Sequence, residues 1–142
     1  DACRWPPSGR RGVAFSRANL FGENFNSYNE EAQKPLLIAM IESVQAINNL
    51  NEILMVEGLD AIFIGPYDLS ASMGLTGQFD NKKFQASIKD IKLKSDKANI
   101  PSGLHVVEPF RKKLDEALSD GFQFVAFSID AVFLRESAIL KK

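Results

Sequence analysis

Several side chains able to act as acids, bases or metal ligands stand where short apolar runs end. Glu42 follows the run at 36–41, Asp68 comes just after 60–64, His105 lies within 102–106, and Ser128 and Asp130 follow 122–127. A carboxylate placed against a buried apolar segment is costly unless something compensates its charge. A divalent cation is one such partner. Two carboxylates from neighbouring chain segments, with water and substrate filling the other positions, match the way Mg²⁺ is usually held. Mn²⁺ and Co²⁺ suit the same oxygen-rich surroundings. A competing explanation makes Glu42 and Asp68 ordinary helix N-terminal acids, favoured there by free amides and the macrodipole. The residues alone leave both explanations open. Asp60 precedes its apolar run, so it belongs to the opposite rim and reads as structural.

These residues are positioned by a repeated pattern. Residues 36–41 form a continuous apolar run, suited to a strand buried on both faces. Residues 43–55 carry Val44, Ile47, Leu50, Ile53 and Leu54 at helical spacing, with Gly58 beyond as a helix terminator. A second strand at 60–64 is followed by Gly65-Pro66, a short helix at 68–73, a loop at 74–77 and a long helix at 81–99. A third strand at 102–106 leads to a helix that Pro109 opens at its first position. A fourth strand at 122–127 precedes a helix at 130–141 with Asp130 as its N-cap.

Four strand-then-helix units imply parallel strands with right-handed crossovers. Function then gathers at the C-terminal strand ends, where Glu42, Asp68, His105, Ser128 and Asp130 stand. An open doubly wound sheet and a closed eight-fold barrel both satisfy this pattern. The absence of a G-x-G-x-x-G fingerprint after any strand weakens the dinucleotide-binding version of the open sheet. A complete (β/α)₈ barrel needs about 250 residues. The 142 residues here are therefore expected to supply its C-terminal half, as a single domain over 1–142 in which 1–34 is a connecting segment. The opening at Asp1, followed soon by the turn-like Trp5-Pro6-Pro7-Ser8-Gly9, is expected of a chain that starts partway through a longer one.

Composition narrows the partners. Seventeen basic against eighteen acidic residues, a net charge of −1, argue against nucleic acid or an anionic membrane as a partner. No apolar run approaches the roughly 20 residues of a spanning helix. The lone Cys3 excludes an internal disulfide and is compatible with a reducing, cytoplasmic setting. The 11 phenylalanines are expected to pack the core rather than to form a binding platform. Arg10 and Arg11 lie in a loop where solvent exposure is the default.

Four segments make the sequence resemble a known family. Trp5-Pro6-Pro7-Ser8-Gly9-Arg10-Arg11-Gly12-Val13 and Arg17-Ala18-Asn19-Leu20-Phe21-Gly22 are similar to the Y-P-P-x-G-x-R-G and R-A-x-x-x-G segments of the HpcH/HpaI family of metal-dependent pyruvate aldolases. Ile41-Glu42-Ser43 resembles that family's Q-I-E-[ST] metal motif. Residues 60–70, ending Gly65-Pro66-Tyr67-Asp68-Leu69-Ser70, resemble its D-G-[IV]-F-[IV]-G-P-x-D-L-[SA] motif. The resemblance implies a (β/α)₈ barrel that reversibly cleaves 4-hydroxy-2-oxo acids, such as 2-dehydro-3-deoxy sugar acids, to pyruvate and an aldehyde. It implies a divalent ion (Mg²⁺, Mn²⁺ or Co²⁺) on Glu42 and Asp68 that chelates the 2-oxo acid and acts as a Lewis acid. Pro66, Tyr67 and Asp68 would line the pocket for the substrate carboxylate, with amides at the start of the short helix favouring an anion. It further implies a homo-oligomer, a hexamer or a trimer.

The sequence also departs from the family. Met40 stands where the family carries glutamine, which removes a hydrogen-bond donor beside the substrate. His105 replaces a commonly apolar residue, and a substrate or proton-transfer role is open to it beside a structural one. Tyr67 fills a variable position where relatives carry a small residue. The family's histidine–aspartate base and a substrate-binding arginine belong to its N-terminal half, so no catalytic base is assigned in this chain and turnover by the chain alone is not expected. Two other functions remain beside the aldolase: an acyl-CoA lyase on a similar barrel, for which no basic nucleotide-phosphate site is visible, and a non-catalytic barrel fragment serving as a binding or assembly module.

Overall fold

The computed structural model describes residues 1–139; the last residues of the helix expected at 130–141, including Leu140, lie outside the described residues. The chain divides into two compact units, Asp1–Leu37 and Ile38–Lys142.

The first unit is built round Trp5, which is 2% exposed. Its indole meets Phe25 and Tyr28 at centroid distances of 5.4 and 5.2 Å. The Arg11 guanidinium lies 5.8 Å above the same ring and donates to the Tyr28 hydroxyl at 3.1 Å. Arg11 is thus half-buried as a cation–π partner, whereas Arg10 is exposed and pairs with Asp1, as a loop arginine should. A 3-10 turn, Arg17–Gly22, precedes helix α1, Phe25–Glu31. Asn19, fully buried, organises that turn: its side-chain carbonyl accepts from Ser16 N and its amide donates to Ala14 O.

The second unit contains four strands, β1 (Ile38–Ile41), β2 (Ala61–Ile64), β3 (Ser102–Val106) and β4 (Phe124–Phe127). They lie side by side in the order β1-β2-β3-β4, all parallel. Sequential order with right-handed crossovers lays every connection on one face of the sheet. A doubly wound sheet would reverse its strand order partway, and this one does not. The open sheet is therefore excluded, and the topology is that of half a (β/α)₈ barrel.

The strand register shows which face is which. Ile41, Ile62 and Ile64 are fully buried and Val106 nearly so, toward the helices; Met40, on the other face, is 53% exposed. Met40 pairs with Phe63, Phe63 with Gly103, and Gly103 with Phe124, so the four form one rung of the inner face. Phe63 and Phe124 stack at 5.7 Å across Gly103.

The helices are α2 (Val44–Asn48), α3 (Leu50–Leu54), α4 (Pro66–Ser72), α5 (Lys82–Lys97), α6 (Arg111–Ser119) and α7 (Asp130–Ala138). Three expectations need correction. The helix expected at 43–55 breaks at Asn49 (φ −99°, ψ 12°), a residue type that competes with helical bonding. Pro109 does not open α6: the chain stays extended through the N-cap Phe110. The N-cap of α7 is Ile129, and Asp130 occupies the first helical position instead, where its carboxylate accepts from Ala131 N at 2.7 Å. Among the described residues, no helix is long and apolar enough to cross a membrane.

The Phe63–Phe124 stack predicts the effect of filling the gap beneath it. A Cβ at residue 103 would sit 2.2 Å from Phe124 Cε2. Gly103→Ala should lower unfolding free energy by about 1–3 kcal/mol in urea titrations; a variant as stable as the parent would show that the stack is not rigid.

Candidate metal and oxo-acid site

Glu42 follows β1 and faces inward, like Met40 two residues before it. Ile41 pairs with Ile64 and Ile64 with Leu104, so the next rung up brings together Glu42, Gly65, His105 and Ala126. Gly65 N donates to Ile41 O at 3.3 Å, which carries the pairing of β1 and β2 onto that rung. A Cβ at Gly65 would lie 3.4 Å from Glu42 Oε2 and 3.5 Å from Met40 Cε. The Glu42 carboxylate therefore extends over the bare backbone of residue 65.

Asp68 reaches the same rim from the next strand. Pro66 is the first residue of α4, a position that suits its fixed φ and missing N–H, and Asp68 falls in the first turn. The first α4 backbone bond runs from Leu69 N to Gly65 O at 3.0 Å, so the Tyr67 and Asp68 amides precede the helical ladder.

Serine hydroxyls lock these parts together. Ser43 caps α2 by accepting from Ala46 N at 3.1 Å, which leaves Glu42 with no capping duty. Ser72 Oγ accepts from Val44 N at 2.9 Å and ties the end of α4 to the turn after Glu42. Ser70, fully buried, donates to Tyr67 O and accepts from Gly77 N, which holds α4 against the following loop. Tyr67, 49% exposed, packs edge-on against Phe79 of that loop at 4.9 Å.

Both carboxylates are exposed, and neither has a hydrogen bond or ion pair with another described residue. Two hard oxygen donors with free lone pairs fit Mg²⁺ or Mn²⁺, which retain water and substrate in their other positions. Among the described residues, no three His, Cys, Asp or Glu side chains come together in a group that could hold a metal ion. A cavity of about 330 Å³ lies elsewhere, on the helix side between α5 and α6, with Phe84 and Ala117 in its walls and Leu104, His105 and Val106 along β3. It reaches Pro66, but neither Glu42 nor Asp68 lines it.

The other residues singled out in the sequence divide. Ser128 is buried and bonds back to β3, donating from Oγ to Val107 O at 2.9 Å and from N to Val106 O at 2.7 Å. It and Asp130, in the first turn of α7, are part of the framework. Gly65 was legible in the sequence as a strand end and as part of a motif, but not as the space beside Glu42, which depends on pairing across the sheet.

A singly wound parallel sheet with Glu42 and Asp68 exposed at its C-terminal rim is the arrangement of a (β/α)-barrel protein. The chain belongs to the HpcH/HpaI aldolase/citrate lyase family, whose model matches residues 1–137. It is 36% identical over 143 residues to a hydroxypyruvate/pyruvate aldolase of Sagittula stellata, covering 99% of this chain and 55% of that protein. It is 33% identical over 135 residues to a 5-keto-4-deoxy-D-glucarate aldolase of Shigella dysenteriae, covering 94% of this chain and 52% of that one. The solved structure of an HpcH/HpaI aldolase from Desulfitobacterium hafniense superposes with a TM-score of 0.75 at 28% identity, over 96% of this chain and 53% of the other. The chain thus spans about half the length of the curated relatives it matches.

Ser128 sits at φ +54°, in the left-handed region that glycine tolerates best. Ser128→Gly relieves the backbone but gives up the bond to Val107 O, and is therefore expected to lower the melting temperature less than a β-branched replacement does. Ser128→Val should lower stability by about 1–3 kcal/mol, since a β-branched residue is strained there. Equal melting of the two variants would contradict a strained turn above β4.

Proposed function

We propose that this chain is the metal-binding part of a pyruvate aldolase, cleaving 4-hydroxy-2-oxo acids such as 2-dehydro-3-deoxy sugar acids to pyruvate and an aldehyde. The observation that carries the proposal is the pair of free carboxylates, Glu42 and Asp68, with the Glu42 oxygen over Gly65. The relatives named as hydroxypyruvate/pyruvate aldolase and 5-keto-4-deoxy-D-glucarate aldolase support a 2-oxo acid as the ligand.

Glu42 and Asp68 would hold the divalent ion, Mg²⁺, Mn²⁺ or Co²⁺. When bound, the ion supplies Lewis-acid stabilisation of the negative charge that develops on the substrate's oxo oxygen. The chain's residues bind and orient. Glu42 brings its carboxylate inward from β1, and Asp68 brings a second from the first turn of α4. Pro66 and Tyr67 shape the wall beside them, and Tyr67, held by Phe79, restricts the space for the aldehyde end. Met40 presents a thioether beside Glu42 and Gly65, an apolar surface that donates no hydrogen bond to substrate.

Proton transfer needs a base. His105 is the only histidine among the 142 residues, and it does not match the family's histidine–aspartate pair. The chain alone is accordingly proposed to bind metal and oxo acid without turnover. Assembly into a cytoplasmic homo-oligomer belongs to the same proposal.

Mn²⁺ titration with pyruvate present, followed by electron paramagnetic resonance, should show binding that Glu42→Ala and Asp68→Ala each remove. Unchanged affinity in both variants would defeat the site assignment. In a coupled assay for pyruvate release from 4-hydroxy-2-oxo acids, the isolated chain should give no signal above the uncatalysed background; steady turnover would place a base within these residues.

A further inference from the structure

We propose that His105 is a positioning residue of this site, whose imidazole Nε2 hydrogen-bonds the metal-held 2-oxo acid and sets its affinity without ligating the ion. The inference rests on the aldolase reading above. Among the described residues, His105 Nε2 is the one buried side-chain nitrogen or oxygen without a hydrogen-bond partner. A buried polar atom left unpaired is unfavourable and calls for a partner that the free fold does not contain.

Its place in the sheet indicates what that partner is. His105 lies two residues after Gly103, so strand alternation puts it on the face that carries Phe63 and Phe124, although the residue also borders the helix-side cavity. Glu42 stands on the same rung, with Gly65 between them. Neighbouring strands are about 4.8 Å apart, which separates the two backbones by roughly 10 Å. Glycine leaves that interval free of a side chain, and the Glu42 carboxylate already extends over it. On the other side, His105 pairs with Ala126, again a small residue. A bidentate 2-oxo acid brings carboxylate and carbonyl oxygens into this interval, and both accept from an imidazole N–H. Because Nε2 is covered in the free chain, the ring must turn about χ2 to engage them; that motion leaves the backbone in place.

The test uses Mn²⁺ and pyruvate as probes on the whole 142-residue chain, with His105→Leu and His105→Gln beside the wild type. Mn²⁺ affinity is read by electron paramagnetic resonance, pyruvate affinity in the Mn²⁺-saturated protein by water-proton relaxation, and folding by thermal melting. The expected result is equal Mn²⁺ affinity in all three proteins, with pyruvate binding weakened roughly tenfold in His105→Leu. His105→Gln, which restores an amide donor, should recover most of that loss. Undiminished pyruvate binding in His105→Leu would overturn the proposal, and so would a loss of Mn²⁺ binding as large as the loss of pyruvate in both variants. Wild-type protein that binds no Mn²⁺ would refute the aldolase reading itself and this inference with it. Normal Mn²⁺ binding combined with indifferent His105 variants would refute this inference alone.

Discussion

Phe63 and Phe124 stack across Gly103, and the candidate site depends on that contact. With no Cβ at residue 103, aromatic rings from β2 and β4 meet over β3, which fixes three strands in one register. A slip of one residue would turn every side chain to the other face. The same register therefore decides that Glu42, Gly65 and His105 share a rung, and that Ile41, Ile64 and Leu104 point toward the helices. The chemistry at the rim follows from packing one layer below it.

A second gap, at Gly65, has a different use. Gly103 is empty so that rings can meet, whereas Gly65 is empty so that a carboxylate can lie across the strand. Its φ of −93° is open to any residue, so the requirement is for space and not for backbone freedom. Serine hydroxyls then join the two acid-bearing segments, Ser43 capping α2 and Ser72 reaching from α4 to Val44. This division of labour explains why Glu42 carries no capping bond and why Asp68 remains unpaired in the first turn of α4.

Much of the fold was legible in the sequence because apolar runs and helical spacing are local signals. All four strands appear where those runs lie, and Gly58 and Pro66 mark element ends in the expected way. The errors were local competitions among caps: Asn49 interrupts a helical stripe, Phe110 displaces Pro109, and Ile129 displaces Asp130. What could not be read locally was pairing across the sheet. Gly65 matters through Glu42, and His105 through a missing partner; both are relations between strands far apart in sequence. Residues 1–37 show the same limit. Within them, the segment 1–34 that the sequence marks as connecting buries Trp5 beneath Arg11, and Gly9 approaches the Arg4 and Asp1 carbonyls so closely that a Cβ would fall 2.4 Å from each. The Trp-Pro-Pro-Ser-Gly-Arg-Arg-Gly block is thus a packing motif as well as a family signature.

The proposed role of Glu42, holding a divalent ion in the space above residue 65, can be tested without touching either acid. Gly65→Val keeps an allowed backbone conformation and puts a branched side chain into that space. The direct measurement is the Mn²⁺ dissociation constant of this variant, with circular dichroism to verify the fold. The account predicts a native spectrum and binding weakened by at least about tenfold, as for changes that displace a metal ligand. A folded Gly65→Val protein that binds Mn²⁺ as tightly as the wild type would contradict it.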